Sequence, residues 1–344
     1  MGGAVRLFAD VASQYRDFAG YARGDSPCFE AWALGVADDE EVLALIGELP
    51  PVKQQPNLVL AAARWQGVPT PAPYEVFRPA LLSGWGAIRD TVLTRATQTN
   101  EVGRLAALVP AFAAIQARED RPLALLEVGA SAGLCLYPDR YRYAWSTGWG
   151  VHTTEVPPAA PVLSCAVTGP APLPSGPPLV TWRAGIDLNP LDVEDEDAMA
   201  WLENLVWPEQ DARRSRLRAA VAMTRVDPPQ VWSGDLLSTL PRLIPRAPAG
   251  TTLIVFHSAV IAYLEPPQRD DFHRMMASLV AEGLCHWVSN EAAGVLPRIT
   301  ATEPGGVADE LPFVLGVNGR AVGRTHGHGH ALSWWPGYPP GSTL

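Results

Sequence analysis

Through the first third of the chain, apolar residues return at helical spacing. Leu7, Val11 and Tyr15, then Phe18 and Ala22, follow one another at steps of three or four, which stacks side chains on one helix face. No alternation of strand type interrupts this pattern between Val5 and about Arg118. The stretch is punctuated by Gly24-Asp25-Ser26-Pro27, by Leu49-Pro50-Pro51 and by Pro69 to Pro73, where the residue before each proline is pushed out of helical geometry. Asp38, with Glu41 three residues on, predicts a helix N-cap with its partner.

Beyond the charged break Arg118 to Arg121 the texture changes. Leu123 to Val128 is a short, mostly apolar run that ends on Gly129, the pattern of a parallel strand buried on both faces. Further strands are predicted at Leu179–Arg183, Gln230–Ser233, Thr252–His257, Cys285–Ser289 and Pro312–Gly316, with helices at Asp195–Trp207, Glu209–Arg225 and Gln268–Glu282 between them. That alternation implies a parallel sheet covered by helices. Gly323 to Trp335 reads as one more strand, an antiparallel edge, and Tyr141 to Gly169 as a hairpin or loop insertion. The expected organisation is a helical domain over residues 1–120, followed by a Rossmann-like α/β domain over 121–344 with an insertion near 141–169.

Composition narrows the function classes. A chain of 344 residues with 47% hydrophobic content can bury a large core, and its net charge of -10 excludes a general affinity for nucleic acid or anionic membranes, which needs a surplus of cations on one face. A small-molecule substrate is expected. Four widely separated cysteines, Cys28, Cys135, Cys165 and Cys285, offer neither a metal knuckle nor a disulfide framework, and predict a reducing, cytoplasmic setting. The start, Met1 to Asp10, lacks a basic stretch followed by a long apolar run, so export and membrane insertion are not expected.

The densest chemistry follows the first strand. Glu127-Val-Gly129-Ala130-Ser131-Ala-Gly133 is a glycine turn that lets backbone approach a ligand and, if a helix follows, presents unpaired N–H groups to it. Its spacing differs from the three-glycine fingerprint of dinucleotide enzymes. Three other polar groups stand at strand ends: Gly185-Ile-Asp187-Leu188, Ser233-Gly234-Asp235 and His257-Ser258. Asp235 before Leu236-Leu237-Ser238 also suits a helix N-cap, and Asp187 and Asp192 could cap helices as readily as hold a ligand.

Four such groups at carboxyl ends of strands resemble the class I S-adenosylmethionine-dependent methyltransferases. The resemblance implies that Glu127, Gly129, Ala130, Ser131 and Gly133 wrap the methionine part of S-adenosylmethionine. It further implies that Asp187, with Leu188, takes the ribose, that Gly234 and Asp235 take the adenine amino group, and that His257 and Ser258 line the cleft. Over nearly the whole chain the sequence more closely resembles a bacterial family of uncharacterised proteins, domain of unknown function 2332. The residues that carry this second resemblance are Gln55-Pro-Asn57, Thr97 to Arg104, Leu126 to Leu134, Asp187 to Val193, Leu205 to Glu209 and Phe256 to Tyr263. That family brings no activity with it.

Other candidates are weighed on their chemistry. Asn100, Glu101 and Arg104 sit densely before the apolar stretch Leu105 to Ile115; Asn100 and Arg104 could hold substrate and Glu101 could move a proton, or the group is a capped helix start. His257 could serve as a general base, with Tyr263 and Glu291 as further catalytic candidates, although a strand-end histidine is also a common structural hydrogen bonder. His326, His328 and His330 alternate with glycine, so on a strand they would share one side as a metal site requires, whereas in a turn they would not. No acidic or cysteine ligand adjoins them, and no metal is assigned. Asp195, Glu196 and Asp197 are a helix first turn, and Trp201, Leu202, Leu205 and Val206 are core.

Overall fold

The computed structural model describes residues 10–154, 160–304 and 311–337. Leu7 lies outside the described residues, as does part of the 141–169 segment.

Five helices come first: α1 (Val11–Ala22), α2 (Pro27–Ala37), α3 (Glu40–Gly47), α4 (Pro56–Trp65) and α5 (Tyr74–Thr94). The starts have local causes. Pro27 and Pro56 stand in the first turns of their helices, where a missing N–H costs nothing. Asp10, Ser26 and Asp39 cap α1, α2 and α3 by accepting the amides of Ser13, Phe29 and Val42. The cap expected at Asp38 falls one residue later because α2 runs to Ala37 and leaves Asp38 as its C-cap; Asp39 also binds Arg78 and Tyr74.

Then follow α6 (Leu105–Glu119), β1 (Leu123–Val128), β2 (Arg142–Thr147), β3 (Gly150–Thr153), β4 (Val162–Thr168) and β5 (Val180–Asp187). The chain continues through α7 (Glu196–Asn204), α8 (Asp211–Arg225), β6 (Gln230–Ser233), α9 (Leu236–Leu243), β7 (Thr252–Ser258) and α10 (Pro266–Ala281). It ends with β8 (His286–Ala292), the single turn α11 (Pro297–Thr300), β9 (Phe313–Val317), β10 (Arg320–Thr325) and β11 (Ala331–Trp334).

These elements form two compact units. The first joins the chain up to Thr99 with Glu194–Arg218, and the second joins Asn100–Val193 with the chain from Ala219 onward. In the first unit the returning segment is held by its own polar anchors. Arg64 donates to the carbonyls of Asn204 and Val206, the Trp207 indole to Asn57 and the Trp201 indole to Ala96. Trp207 meets the rings of Phe18, Tyr21 and Phe29, and Trp201, Leu202, Leu205 and Val206 are buried.

The second unit is α/β, built on one eleven-stranded, mostly parallel sheet in the order β3-β2-β4-β11-β10-β9-β8-β7-β1-β5-β6. Five strands, β6, β5, β1, β7 and β8, are parallel to one another. Read across the sheet from β6 to β8, they come third, second, first, fourth and fifth along the chain. The winding thus reverses direction between β1 and β7, the place where open sheets of this kind bind ligands. One face of these strands, with Ala124, Leu126, Val128, Val255 and Trp287, packs on Leu240 and Leu243 of α9 and Phe272 and Met276 of α10. Alternation along β1 turns Leu125 and Glu127 to the other face. That face is covered by α6, where Phe112 meets Phe256 with ring centroids 5.2 Å apart. Residues Leu105 to Phe112 of α6 are buried throughout, as a helix that is apolar all round must be.

Of the two alternatives for the 141–169 segment the hairpin is the one formed, by β2 and β3; β4, parallel to both β2 and β11, extends the same sheet, which neither alternative included. The single antiparallel edge strand expected over 323–335 is two strands, β10 and β11, in the interior of the sheet. They are joined by a turn that carries His326, His328 and His330.

Candidate functional site

The bend after β1 is made by three positive backbone angles, at Gly129 (φ 72°), Ser131 (φ 53°) and Gly133 (φ 71°). No α-helix follows. A single 3-10 turn, Leu134–Leu136, comes next, because Pro138 leaves too few residues for a helix and its ring bars helical geometry at Tyr137. The amides expected to await a ligand are engaged within the protein. Gly129 and Ala130 both donate to the Ile186 carbonyl (2.8 and 3.1 Å), and Gly133 donates to the Ala130 carbonyl (2.7 Å). Ser131 donates to Asp187 Oδ2 (2.8 Å) and Leu134 to Asn100 Oδ1 (2.9 Å). Ala130 is 0% and Ser131 3% exposed. A Cβ at Gly129 would stand 2.4 Å from Val260 Cγ2, and one at Gly133 2.4 Å from Pro229 Cγ. The glycines therefore serve close packing here, and the bend is shut.

The next two strand ends are more open. Asp187 ends β5 and is no helix cap; besides Ser131 it accepts the Asn189 amide on Oδ1 at 2.9 Å, so it ties the two loops together. Leu188 is 75% exposed, and its carbonyl accepts Ser233 Oγ at 3.3 Å. Gly234 donates to the Asp187 carbonyl (2.9 Å), and Asp235 caps α9 through the Ser238 amide (3.1 Å). Asn189, Ser233 and Asp235 are exposed around Leu188. Asp192 follows on the same loop, not at a helix start.

On the face covered by α6, buried polar groups gather at this same edge. Asn100 Oδ1 holds Leu134, and Nδ2 approaches Cys135 Sγ at 3.8 Å. Glu101 caps the short turn Val102–Arg104 through the Gly103 amide (2.8 Å). Arg104 donates to the carbonyls of Gly327 and Ser258, both at 2.9 Å. Asn100 and Arg104, expected to hold substrate, are thus tied to the protein's own backbone. Glu127 is 6% exposed, and its Oε2 has no hydrogen-bond partner among the described residues. Burial raises its pKa well above the ordinary glutamate value; Asp187 pushes the same way and Arg104 opposes. Burial likewise raises the Cys135 thiol. Sequence reasoning missed Asn290 and Thr325 in this group. Asn290 receives Thr325 Oγ1 (2.6 Å) and donates to Ser258 Oγ (3.0 Å); the available signal is Ser289-Asn290-Glu291, three polar residues within a buried strand.

His257 and Glu291 lie on the opposite face. His257 is 0% exposed. The Trp287 indole donates to His257 Nε2 (3.0 Å), so the ring proton sits on Nδ1 and goes to Glu291 Oε1 (2.7 Å). Both nitrogens are engaged, which leaves no lone pair for a substrate proton and corrects the general-base role expected for His257. Glu291 Oε1 also accepts the amides of Val260 (3.0 Å) and Ile261 (3.1 Å), so its work is to hold the loop after β7. Tyr263, 51% exposed, stands on that loop.

The three histidines lie in the β10–β11 turn and not on a strand. The rings of His326 and His330 are 3.7 Å apart, and His328 donates its amide to His326 Nδ1 (3.2 Å). Gly329 presses on Gly103 and Arg104, where a Cβ would stand 2.3 Å from the Gly103 carbonyl oxygen. The turn therefore braces the Asn100–Arg104 segment. A groove of about 930 Å³, lined by Arg118, Arg121, Pro245, Ala281, His286 and Arg320 among others, runs along the opposite, amino edge of the strands. Its position separates it from every group above. No helix among the described residues is long and apolar enough to cross a membrane.

A family model described as "Uncharacterized protein conserved in bacteria", domain of unknown function 2332, matches residues 12–334. No curated protein and no solved structure matches the chain.

Proposed function

The chain belongs to this uncharacterized bacterial family, and we propose that it is an S-adenosylmethionine-dependent methyltransferase acting on a small molecule, on a Rossmann-like scaffold of methyltransferase type. The observation that carries the reading is Leu188: a leucine 75% exposed, directly after the acid of the second parallel strand, with Asn189, Ser233 and Asp235 exposed around it. An apolar side chain standing alone in a polar rim at the sheet's ligand-binding edge fits the face of a purine, and Asp187 and Asp235 supply acceptors for ribose hydroxyls and an exocyclic amine. The adenosine half of the cofactor fits these residues. The methionine half does not fit the Gly129–Gly133 bend as packed, whose amides are engaged and whose space Val260 fills.

The chemistry supplied by the bound cofactor is an activated methyl group. The protein's part is to place the acceptor in line and exclude water. Tyr263, exposed on the loop after β7, and Ser258, the last residue of β7, are the polar groups that would orient an acceptor; Glu101 and Glu291 act through the backbone they hold.

Titration calorimetry with S-adenosylmethionine and S-adenosylhomocysteine tests the proposal. Saturable binding of both is expected, weakened about tenfold in Leu188→Ala, the loss that follows when one leucine no longer covers an aromatic base. Absence of heat at high protein concentration would sink it. The engaged nitrogens of His257 and the shut bend favour a second reading, a non-catalytic ligand-binding or regulatory protein on the same scaffold. A methylated product recovered from a metabolite pool would dispose of that reading.

A further inference from the structure

The loops after β1 and β7 meet at the place where the sheet reverses, and they meet through one side chain. Val260 fills the space over Gly129 so closely that a Cβ there would lie 2.4 and 2.5 Å from its two methyl groups. What keeps Val260 in place is unusual. Ala259 takes a positive φ of 58°, a conformation that a residue with a Cβ adopts only when its surroundings impose it. Its amide goes to the Asn290 carbonyl (3.0 Å). The next two amides, Val260 and Ile261, both donate to Glu291 Oε1. The same oxygen receives His257 Nδ1, and His257 is in turn fixed by Trp287. Glu291 is 2% exposed and its second oxygen has no partner among the described residues. A buried carboxylate that directs one oxygen at three donors is a clamp on the backbone of that loop.

We infer that Glu291 is a positioning residue that latches Val260 over the Gly129 bend, so that a ligand reaches the bend only when the segment 259–261 moves. That the ligand is an adenosyl compound rests on the proposed function above; the latch itself does not. Val260 then sets how much of the ligand can pass, and the His257-Glu291-Trp287 network, which the proposed transfer does not use, acquires a purpose.

The test is amide hydrogen exchange resolved by residue, on the full chain and on Glu291→Gln, which keeps the side chain's size and removes its charge. Loss of the charged acceptor is expected to speed exchange at Val260 and Ile261 about tenfold, with Ala259 and the β7 and β8 amides unchanged. Exchange at Val260 and Ile261 no faster than in the parent overturns the latch. So does acceleration shared by β7 and β8, which would make Glu291 a support of the sheet. Calorimetry with S-adenosylhomocysteine on the same two proteins separates the latch from the proposed function. If exchange responds and neither protein binds, the latch stands and the cofactor reading falls. If both bind equally and exchange does not respond, the latch falls and the cofactor reading stands.

Discussion

Gly129→Ala is expected to be among the most damaging single-methyl changes in this protein. Two separate costs add. The residue sits at φ 72°, where an L side chain is disfavoured by about 1–2 kcal/mol, and the new Cβ would meet Val260 at 2.4 Å, an overpacking of about 1–3 kcal/mol. Together they predict about 2–5 kcal/mol of lost stability, seen as a Tm lower by roughly 4–10 °C. The two parts can be told apart. Gly250 has a φ of 81°, and a methyl group placed there would find nothing within 4 Å, so Gly250→Ala shows the backbone part alone. Gly129→Ala combined with Val260→Ala removes the contacts with the two valine methyl groups but leaves the two Cβ atoms 3.0 Å apart. The double variant should therefore recover most of the steric part and none of the conformational part. A Tm for Gly129→Ala equal to that of Gly250→Ala would mean that Val260 does not rest on this bend.

The same bend marks where the sequence can be read and where it cannot. The strands β1, β7 and β9 are legible as short, mostly apolar runs closed by a glycine or a polar group, and β5, β6 and β8 as short segments rich in valine and tryptophan between turns and predicted helices, patterns that depend on neighbours in sequence. β4 shows alternating burial along its length, yet its pairing with β11 joins segments more than 160 residues apart, and nothing local announces that. The turn at His326–His330 imitates a strand through its period of two, while its glycines permit the reversal that makes it a turn. The glycine bend itself is legible, but the helix expected after it is absent. The stop is visible in Pro138, four residues beyond Leu134.

For the candidate site the difference lies between residue type and hydrogen-bond state. Asn100, Arg104, Asp187, His257 and Glu291 all stand out by type, and the structure brings each to the carboxyl edge of the sheet. Each turns out to hold backbone or another side chain. A sequence states which groups can donate and accept; only the fold states whether they already have done so. Leu188 makes the converse case. As an apolar residue it carries little chemical signal of its own and is named in the sequence only through the resemblance; its exposure, visible only in the fold, is what the proposed adenosine site rests on.

Glu127→Gln should stabilise the protein, and by more as the pH rises. The carboxyl is buried and its Oε2 lacks a partner among the described residues. Burial is the main reason its folded pKa lies well above the ordinary 4.5, with Asp187 adding to it and Arg104 working against it. A group whose folded pKa is raised keeps its proton in the folded state after the unfolded chain has lost it. Raising the pH through about 4.5 then favours unfolding, and this continues until the folded pKa is passed. Glutamine has no proton to lose, fits the same volume, and supplies an amide instead of an acid. The difference between the glutamine variant and the parent should thus be small at acid pH and grow steadily in favour of glutamine as the pH rises from about 4.5 towards neutrality, because only the parent has a proton that the unfolded chain gives up first. Urea unfolding of the two proteins across that range measures it. The opposing outcome has a clear meaning: if the glutamine variant is the less stable near neutrality, attraction to Arg104 outweighs desolvation, and Glu127 is an anion anchored to the segment that carries Arg104.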